Sequence, residues 1–139
     1  MQRLCPGAYV LNHTNPMCML SWLHCVESDM KYAGLCHGVQ GTTKELATLL
    51  DVPYEEVSFV AAGINHLAWI LEFRRGKEDL YPRLRALLSQ PEKTAGEEVR
   101  FEIMKYFGYF CTESNRHDSE YMPYFRRTPE LMAHYKLKP

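Results

Sequence analysis

The chain has 139 residues, 46% hydrophobic and 24% charged, with a formal net charge of −1. That length supports a modest domain with a real core, and the near-neutral charge points to neither nucleic acid nor an anionic membrane. No run of about 18 apolar residues occurs, so no transmembrane helix is expected, and Met1–Pro6 lacks the apolar core of a signal peptide.

Five cysteines (Cys5, Cys18, Cys25, Cys36 and Cys111) are scattered with no C-x-x-C spacing. An odd number without a framework fits reduced thiols in a cytoplasmic protein, most of them buried as small hydrophobes.

Taken in order, Ala8–Leu11 is a short β-prone run, predicted to be buried, that reaches a polar loop at Asn12–Pro16. A residue before proline is pushed to extended geometry and proline suits a first helical position, so Asn15 is a plausible cap for a helix over Pro16–Glu27. Met19, Leu20, Leu23 and Val26 give that helix an apolar face. Lys31–Cys36 reads as a second strand. Thr42 or Thr43 would cap a second helix, which Val52-Pro53 ends. Two strand–turn–helix units in succession suggest a βαβα arrangement with both post-strand loops on one edge, where open α/β sheets bind ligands.

Further on, Glu56–Ala62 is β-prone, Gly63–His66 breaks it, and Leu67–Phe73 continues as strand. Arg74–Lys77 reads as a solvated turn and Asp79–Leu88 as a helix. After a polar linker at Gln90–Gly96, Glu97–Phe110 is predicted as an amphipathic helix with Val99, Ile103, Phe107 and Phe110 inward. Ser114–Ser119 is polar and loop-like, Glu120–Phe125 is aromatic-rich, and Pro129–Tyr135 is predicted helical.

The densest chemistry lies in Gly34-Leu35-Cys36-His37-Gly38-Val39-Gln40-Gly41, a glycine-rich turn that displays a thiol beside an imidazole. Cys36 and His66 stand 30 residues apart, each near glycine at the end of a predicted strand. A thiolate and a neutral imidazole suit a divalent transition metal, and two protein ligands would leave positions for substrate oxygens. From spacing alone, a buried thiol and a hydrogen-bonded histidine serve as well. Asn15 reads either as a cap or as a sugar or cofactor contact, and His37 as a ligand, a substrate contact or a turn residue. Tyr121 could be core, or a base if a cation lowered its pKa from about 10. No paired-carboxylate, G-x-S-x-G or G-x-G-x-x-G signature is present.

Five motifs in order carry a resemblance: Asn12–Met17, Gly34–Gly41, Ala62–Trp69, Phe107–Ser114 and Ser119–Phe125. Together they resemble glycoside hydrolase family 4, the NAD- and manganese-dependent glycosidases, in its α-galactosidase/α-glucosidase branch. The resemblance implies an α/β (α+β) fold. Residues 1–33 would be the end of a Rossmann-like NAD-binding domain, and 34–139 part of a lactate/malate-dehydrogenase-like C-terminal α+β domain, an internal fragment truncated at both ends. It implies Cys36 and His66 as ligands of Mn²⁺ or another divalent metal. It places Asn15 and His37 against the sugar, Asn15 also beside NAD, and makes Tyr121 the base at C2.

The implied reaction is redox-assisted elimination of an α-galactoside or α-glucoside. NAD⁺ takes hydride from C3, the ketone acidifies the C2 proton, a base removes it with Lewis-acid help from the metal, and the glycosidic oxygen leaves. Water then adds and the ketone is reduced back. A homo-oligomer is implied for the full-length enzyme. The competing reading is a truncated metal-binding remnant, inactive without the NAD-binding region. A purely structural interaction module fits the motif order poorly.

Overall fold

The computed structural model describes residues 1–138, which form two compact units, Met1–His37 and the segment from Gly38 onward. Each is described by itself. The first is a β–α–β unit: strand β1 (Tyr9–Asn12), helix α1 (Met17–Glu27) and strand β2 (Lys31–Gly34), with β1 and β2 parallel from Tyr9↔Lys31 to Asn12↔Gly34. Gly34 permits a tight crossover, since a Cβ there would lie 3.0 Å from both Met17 Sδ and Ser21 Oγ.

Three expectations shift here. The strand at Ala8–Leu11 is not buried, for Tyr9 and Leu11 are exposed. The apolar face of α1 is also exposed, including Met19, Leu23 and Val26. Two strands and one helix supply too little surface to cover either. The second strand stops at Gly34 rather than Cys36, which releases Cys36 into the turn.

In the second unit, helix α2 runs Gly38–Leu49. It starts before the predicted caps, so Thr42 and Thr43 are buried inside it. The Thr43 hydroxyl bonds back to the Val39 carbonyl (3.0 Å), while that of Thr42 donates to the Thr112 carbonyl (2.8 Å). Strands β3 (Val57–Ile64) and β4 (Leu67–Arg75) form an antiparallel hairpin closed by Asn65-His66. A short turn at Gly76-Lys77 leads to β5 (Glu78–Asp79), which pairs with the end of β4. Helix α3 (Tyr81–Ala86) continues into a 3-10 turn.

Helix α4 covers Glu98–Phe107. Gly108 ends it at φ +83, its N–H bonding the Met104 carbonyl at 2.8 Å. The predicted helix over Glu97–Phe110 is therefore too long: Phe110 lies in β6 (Phe110–Cys111), and Phe107 is half exposed rather than inward. The segment read as a loop is helix α5 (Asn115–Tyr121), and α6 spans Pro129–His134. Strand β6 pairs with the start of β4 through Trp69↔Cys111 and Ile70↔Phe110.

The main core joins α2, β4, α3 and α4 through Leu46, Ile70, Phe73, Leu84 and Met104. A smaller cluster of Val99, Ile103, Cys111, Met122 and Phe125 fastens β6 and the segment after α5 to the other face of α4. Each large side chain so buried contributes about 1.5–3 kcal/mol relative to exposure. Strand β4 is thus the organising strand, paired on both sides and seated on the core.

Candidate functional site

In the first unit, parallel pairing brings the loops after β1 and β2 to one edge. The ladder continues past the strands, with Leu35 N–H donating to the Asn12 carbonyl at 2.9 Å. Asn12 closes the first loop on itself, its Oδ1 accepting from Thr14 N–H (2.9 Å) and its Nδ2 donating to the Thr14 carbonyl (3.0 Å). Asn15 Oδ1 accepts from Met17 N–H at 3.3 Å, so Asn15 closes the first turn of α1 although Pro16 occupies the cap position. The rings of His13 and His37 stack across the two loops, centroids 6.0 Å apart. Asn15, Cys36 and His37 therefore share the carboxyl edge, with Cys36 half-buried. His13 is a member of this edge that sequence reasoning missed.

In the second unit, His66 is the second residue of the β3–β4 turn, at φ +64. Left-handed backbone is uncommon outside glycine, though histidine tolerates it better than most residues. The turn is tight because Gly63 sits at φ +139, where a Cβ would fall 2.6 Å from both Ala68 Cα and Leu67 O. Across the β4–β6 pairing, Thr112 N–H donates to the Ala68 carbonyl at 2.9 Å, so Glu113 emerges beside the hairpin tip. Its Oε2 lies 3.3 Å from His66 Nδ1 and 3.4 Å from His117 Nδ1. The His66 and His117 rings are nearly parallel, centroids 6.1 Å apart, and His117 stacks in turn on Tyr121 at 6.0 Å. Three rings thus form a row, with one mostly buried carboxylate bridging two of them.

Helix α5 is placed by polar contacts. Ser114 Oγ caps it by accepting from His117 N–H (3.2 Å). Asn115 Oδ1 accepts from Val99 N–H (2.7 Å) and Arg100 N–H (3.3 Å), which caps the start of α4. Beneath, the buried Cys111 thiol donates to Asp118 Oδ2 at 2.7 Å. Burial first, and then the Asp118 carboxylate, push that thiol far above the usual cysteine range. Buried Arg100 reaches Glu45 (2.8 Å), Glu97 (2.9 Å) and Thr42 Oγ1 (2.9 Å).

The Tyr121 hydroxyl is held above its ordinary pKa by burial and by the charges of Glu113, Glu120 and Asp118. Service as a base would need a nearby cation to reverse that direction. Among the described residues, no group of three or more His, Cys, Asp or Glu side chains is arranged to hold a metal. The donor chemistry still fits a divalent ion carried by few protein ligands. The Glu113 carboxylate beside His66 adds negative charge that suits a cation. Among the described residues, no helix is long and apolar enough to cross a membrane.

The family model described as "Family 4 glycosyl hydrolase" matches residues 1–52, and that of the family 4 C-terminal domain matches residues 61–138. An α-galactosidase of Bacillus subtilis (strain 168) is 41% identical over 140 residues, covering 99% of this chain and 32% of the relative. An α-galactosidase of Rhizobium meliloti (strain 1021) is 35% identical over 135 residues, covering 94% and 27%. The chain thus spans about a third of the length of the curated relatives it matches. The crystal structure of the Bacillus subtilis protein lplD superposes with a TM-score of 0.82 at 27% identity, covering 94% of this chain and 36% of that one. A gut-microorganism 6-phospho-α-glucosidase, solved with NAD and Mn²⁺, shares the fold at TM-score 0.68 and 19% identity, covering 96% and 32%. Two family models that together take in most of the sequence leave one conclusion: this chain belongs to family 4 of the glycosyl hydrolases.

Proposed function

We propose that this chain supplies the sugar- and metal-contacting segment of an α-galactosidase, with residues 1–33 ending a Rossmann-like NAD-binding domain and 34–139 starting the catalytic α+β domain. The observation that carries this is the placement of the candidate residues. Asn15, Cys36 and His37 stand on the carboxyl edge of a parallel strand pair, and His66 stands at a strained hairpin tip beside a carboxylate. Cys36 and His66 are the metal ligands. His37 and Asn15 orient the sugar hydroxyls, with Asn15 held in place by Met17 N–H and able to face a dinucleotide at the same edge. Tyr121, fixed by its stack on His117, takes the proton from C2. When bound, the divalent ion supplies Lewis-acid stabilisation and NAD⁺ supplies the hydride acceptor. The α-galactosidase relatives, at 41% and 35% identity, favour an α-galactoside as substrate.

Two measurements test this. The 139-residue chain, supplied with Mn²⁺, NAD⁺ and a thiol reductant, is expected to show negligible turnover of p-nitrophenyl α-galactoside, since it carries no G-x-G-x-x-G motif. Sustained turnover would show it to be self-sufficient. Paramagnetic broadening by Mn²⁺ is expected at the resonances of Cys36 and His66 and to vanish in Cys36→Ser and His66→Ala. Unchanged broadening in both variants removes the pair from the ligand set.

A further inference from the structure

We infer that the outward face of helix α1 is a self-association surface, on which a second copy of this chain lays its own α1 antiparallel about a twofold axis. The inference concerns the first unit alone and stands apart from the metal and sugar reading.

Helix α1 is amphipathic in the reverse of the usual sense. Polar side chains face the unit's own strands: Ser21 Oγ and Tyr32 Oη share a hydrogen bond of 3.1 Å, and the His24 ring stacks on Tyr32 at 4.4 Å with its Nε2 3.2 Å from the Met30 carbonyl. Met19, Trp22, Leu23 and Val26 fall at i, i+3, i+4 and i+7, the spacing of one helical stripe, and lie on the side away from those contacts. Trp22 is 73% exposed, Met19 67%, Val26 65% and Leu23 60%. A contiguous open stripe marks an interaction site, unlike single apolar residues scattered over a surface. At ordinary side-chain sizes these four offer roughly 550 Å² per copy. With the flanking Leu20, Cys18 and Cys25, a pair would bury about 1,200 Å², the lower limit of a stable interface.

Charge and symmetry select the occupant. Glu27 is the only Asp, Glu, Lys or Arg in α1, so the face offers no pattern for an acidic or basic partner to match, and two copies meet without repulsion. Antiparallel alignment also sets the helix macrodipoles head to tail, where parallel alignment would bring like ends together. A twofold contact needs a surface complementary to itself. The stripe meets that need when Met19 lies over Trp22 of the second copy and Trp22 over its Met19, each tryptophan serving as the anchor. In the same register the exposed Cys18 and Cys25, seven residues apart along one flank of the helix, face each other between copies: Cys18 of one stands beside Cys25 of the other. Their place at the rim leaves them open to reagents.

The test is sedimentation velocity on the full chain from about 5 to 500 µM, a range suited to an interface of minimal size. A monomer–dimer equilibrium is expected. Trp22→Glu is expected to weaken it by about 30-fold or more, as for loss of a buried tryptophan anchor. Tyr106→Glu alters an equally exposed aromatic (73%) on α4 and is expected to leave it unchanged. The register is read by cross-linking with a short bismaleimide in chains carrying Cys5→Ser. Cys18→Ser and Cys25→Ser variants are each expected to stay monomeric on a denaturing gel alone and to form a covalent dimer when mixed, because only the mixed pair brings a Cys18 opposite a Cys25. That measurement leaves the apolar stripe intact, so it decides the matter if Trp22→Glu folds poorly. A monomer across the whole range, a dimer that folded Trp22→Glu leaves intact, association lost in Tyr106→Glu, or covalent dimers of either cysteine variant alone overturns the inference.

Discussion

Replacing Gly63 by alanine is expected to damage the hairpin that displays His66 far more than its chemistry suggests. Gly63 lies at φ +139, a region that residues with a Cβ avoid, and that strain costs of order 1–3 kcal/mol. The added Cβ would also lie 2.6 Å from both Ala68 Cα and Leu67 O. Both atoms are backbone, so no side chain can swing away. Relief requires opening the Gly63↔Ala68 and Ile64↔Leu67 pairs, which set the turn. We expect a loss of about 3–4 kcal/mol, from the strain together with roughly one or two weakened ladder bonds. Gly76 is the control. It is also left-handed (φ +58), but a Cβ there meets nothing within 4 Å, so Gly76→Ala is expected to cost only about 1–2 kcal/mol. Urea unfolding by linear extrapolation measures both variants, and Mn²⁺ broadening at His66 reports the geometry of the tip. Equal midpoints for the two variants would refute this account of Gly63.

Four further outcomes concern buried charges, a buried hydroxyl and the thiols. Arg100→Met is expected to cost about 2–4 kcal/mol in urea unfolding, near the lower end of values for buried charge partners because Glu45 is free to rehydrate at the surface. Glu97→Gln is expected to change stability by less than about 1 kcal/mol, since burial raises that carboxyl's pKa despite the opposing Arg100 charge. For Tyr81, burial lifts the hydroxyl to about 12 from 10.0, so the folded state keeps a proton that the unfolded state releases. Stability is then intact below about pH 10 and falls as pH rises towards 12. Tyr81→Phe should flatten that decline while lowering stability at neutral pH, because the Ile70 carbonyl and Phe110 N–H lose their partner. In thiol titration, Cys5, Cys18 and Cys25, which are exposed and not buried as their composition suggested, should react at once and buried Cys111 only on unfolding.

Where local pattern coincides with local structure, the chain is readable. Asn15-Pro16 before an apolar periodic run marks the start of α1, and two β-prone runs around Gly63–His66 mark the β3–β4 hairpin. Errors arise where polar residues work inside the fold. Ser114–Ser119 reads as a loop because all its residues are polar, yet Ser114 caps α5, Asn115 caps α4 and Asp118 is buried against Cys111. Thr42 and Thr43 read as caps because hydroxyls favour helix starts. Their hydroxyls instead bond carbonyls, one of them 70 residues away in sequence. Glu113 stands inside a motif used to recognise the family, but no spacing rule marks a single glutamate as the partner of two histidines. That pairing exists only once β6 is laid against β4.

The candidate site of the second unit is therefore a consequence of one strand. β4 begins directly after His66, buries Ile70 and Phe73 in the main core, and pairs with β6 at Trp69 and Ile70. The same ladder that fixes the hairpin tip also delivers Glu113 two residues beyond Cys111. An uncommon backbone conformation at His66 persists because flanking pairs over-determine it, and pairing on both edges leaves the tip little room to relax. The polar groups nearby are locked in the same way: Cys111 by Asp118, and α5 by Asn115 on α4. Rigid support of this kind suits a site with few protein ligands. Where substrate must supply the remaining contacts, the protein's contribution is to hold its own atoms in place beforehand.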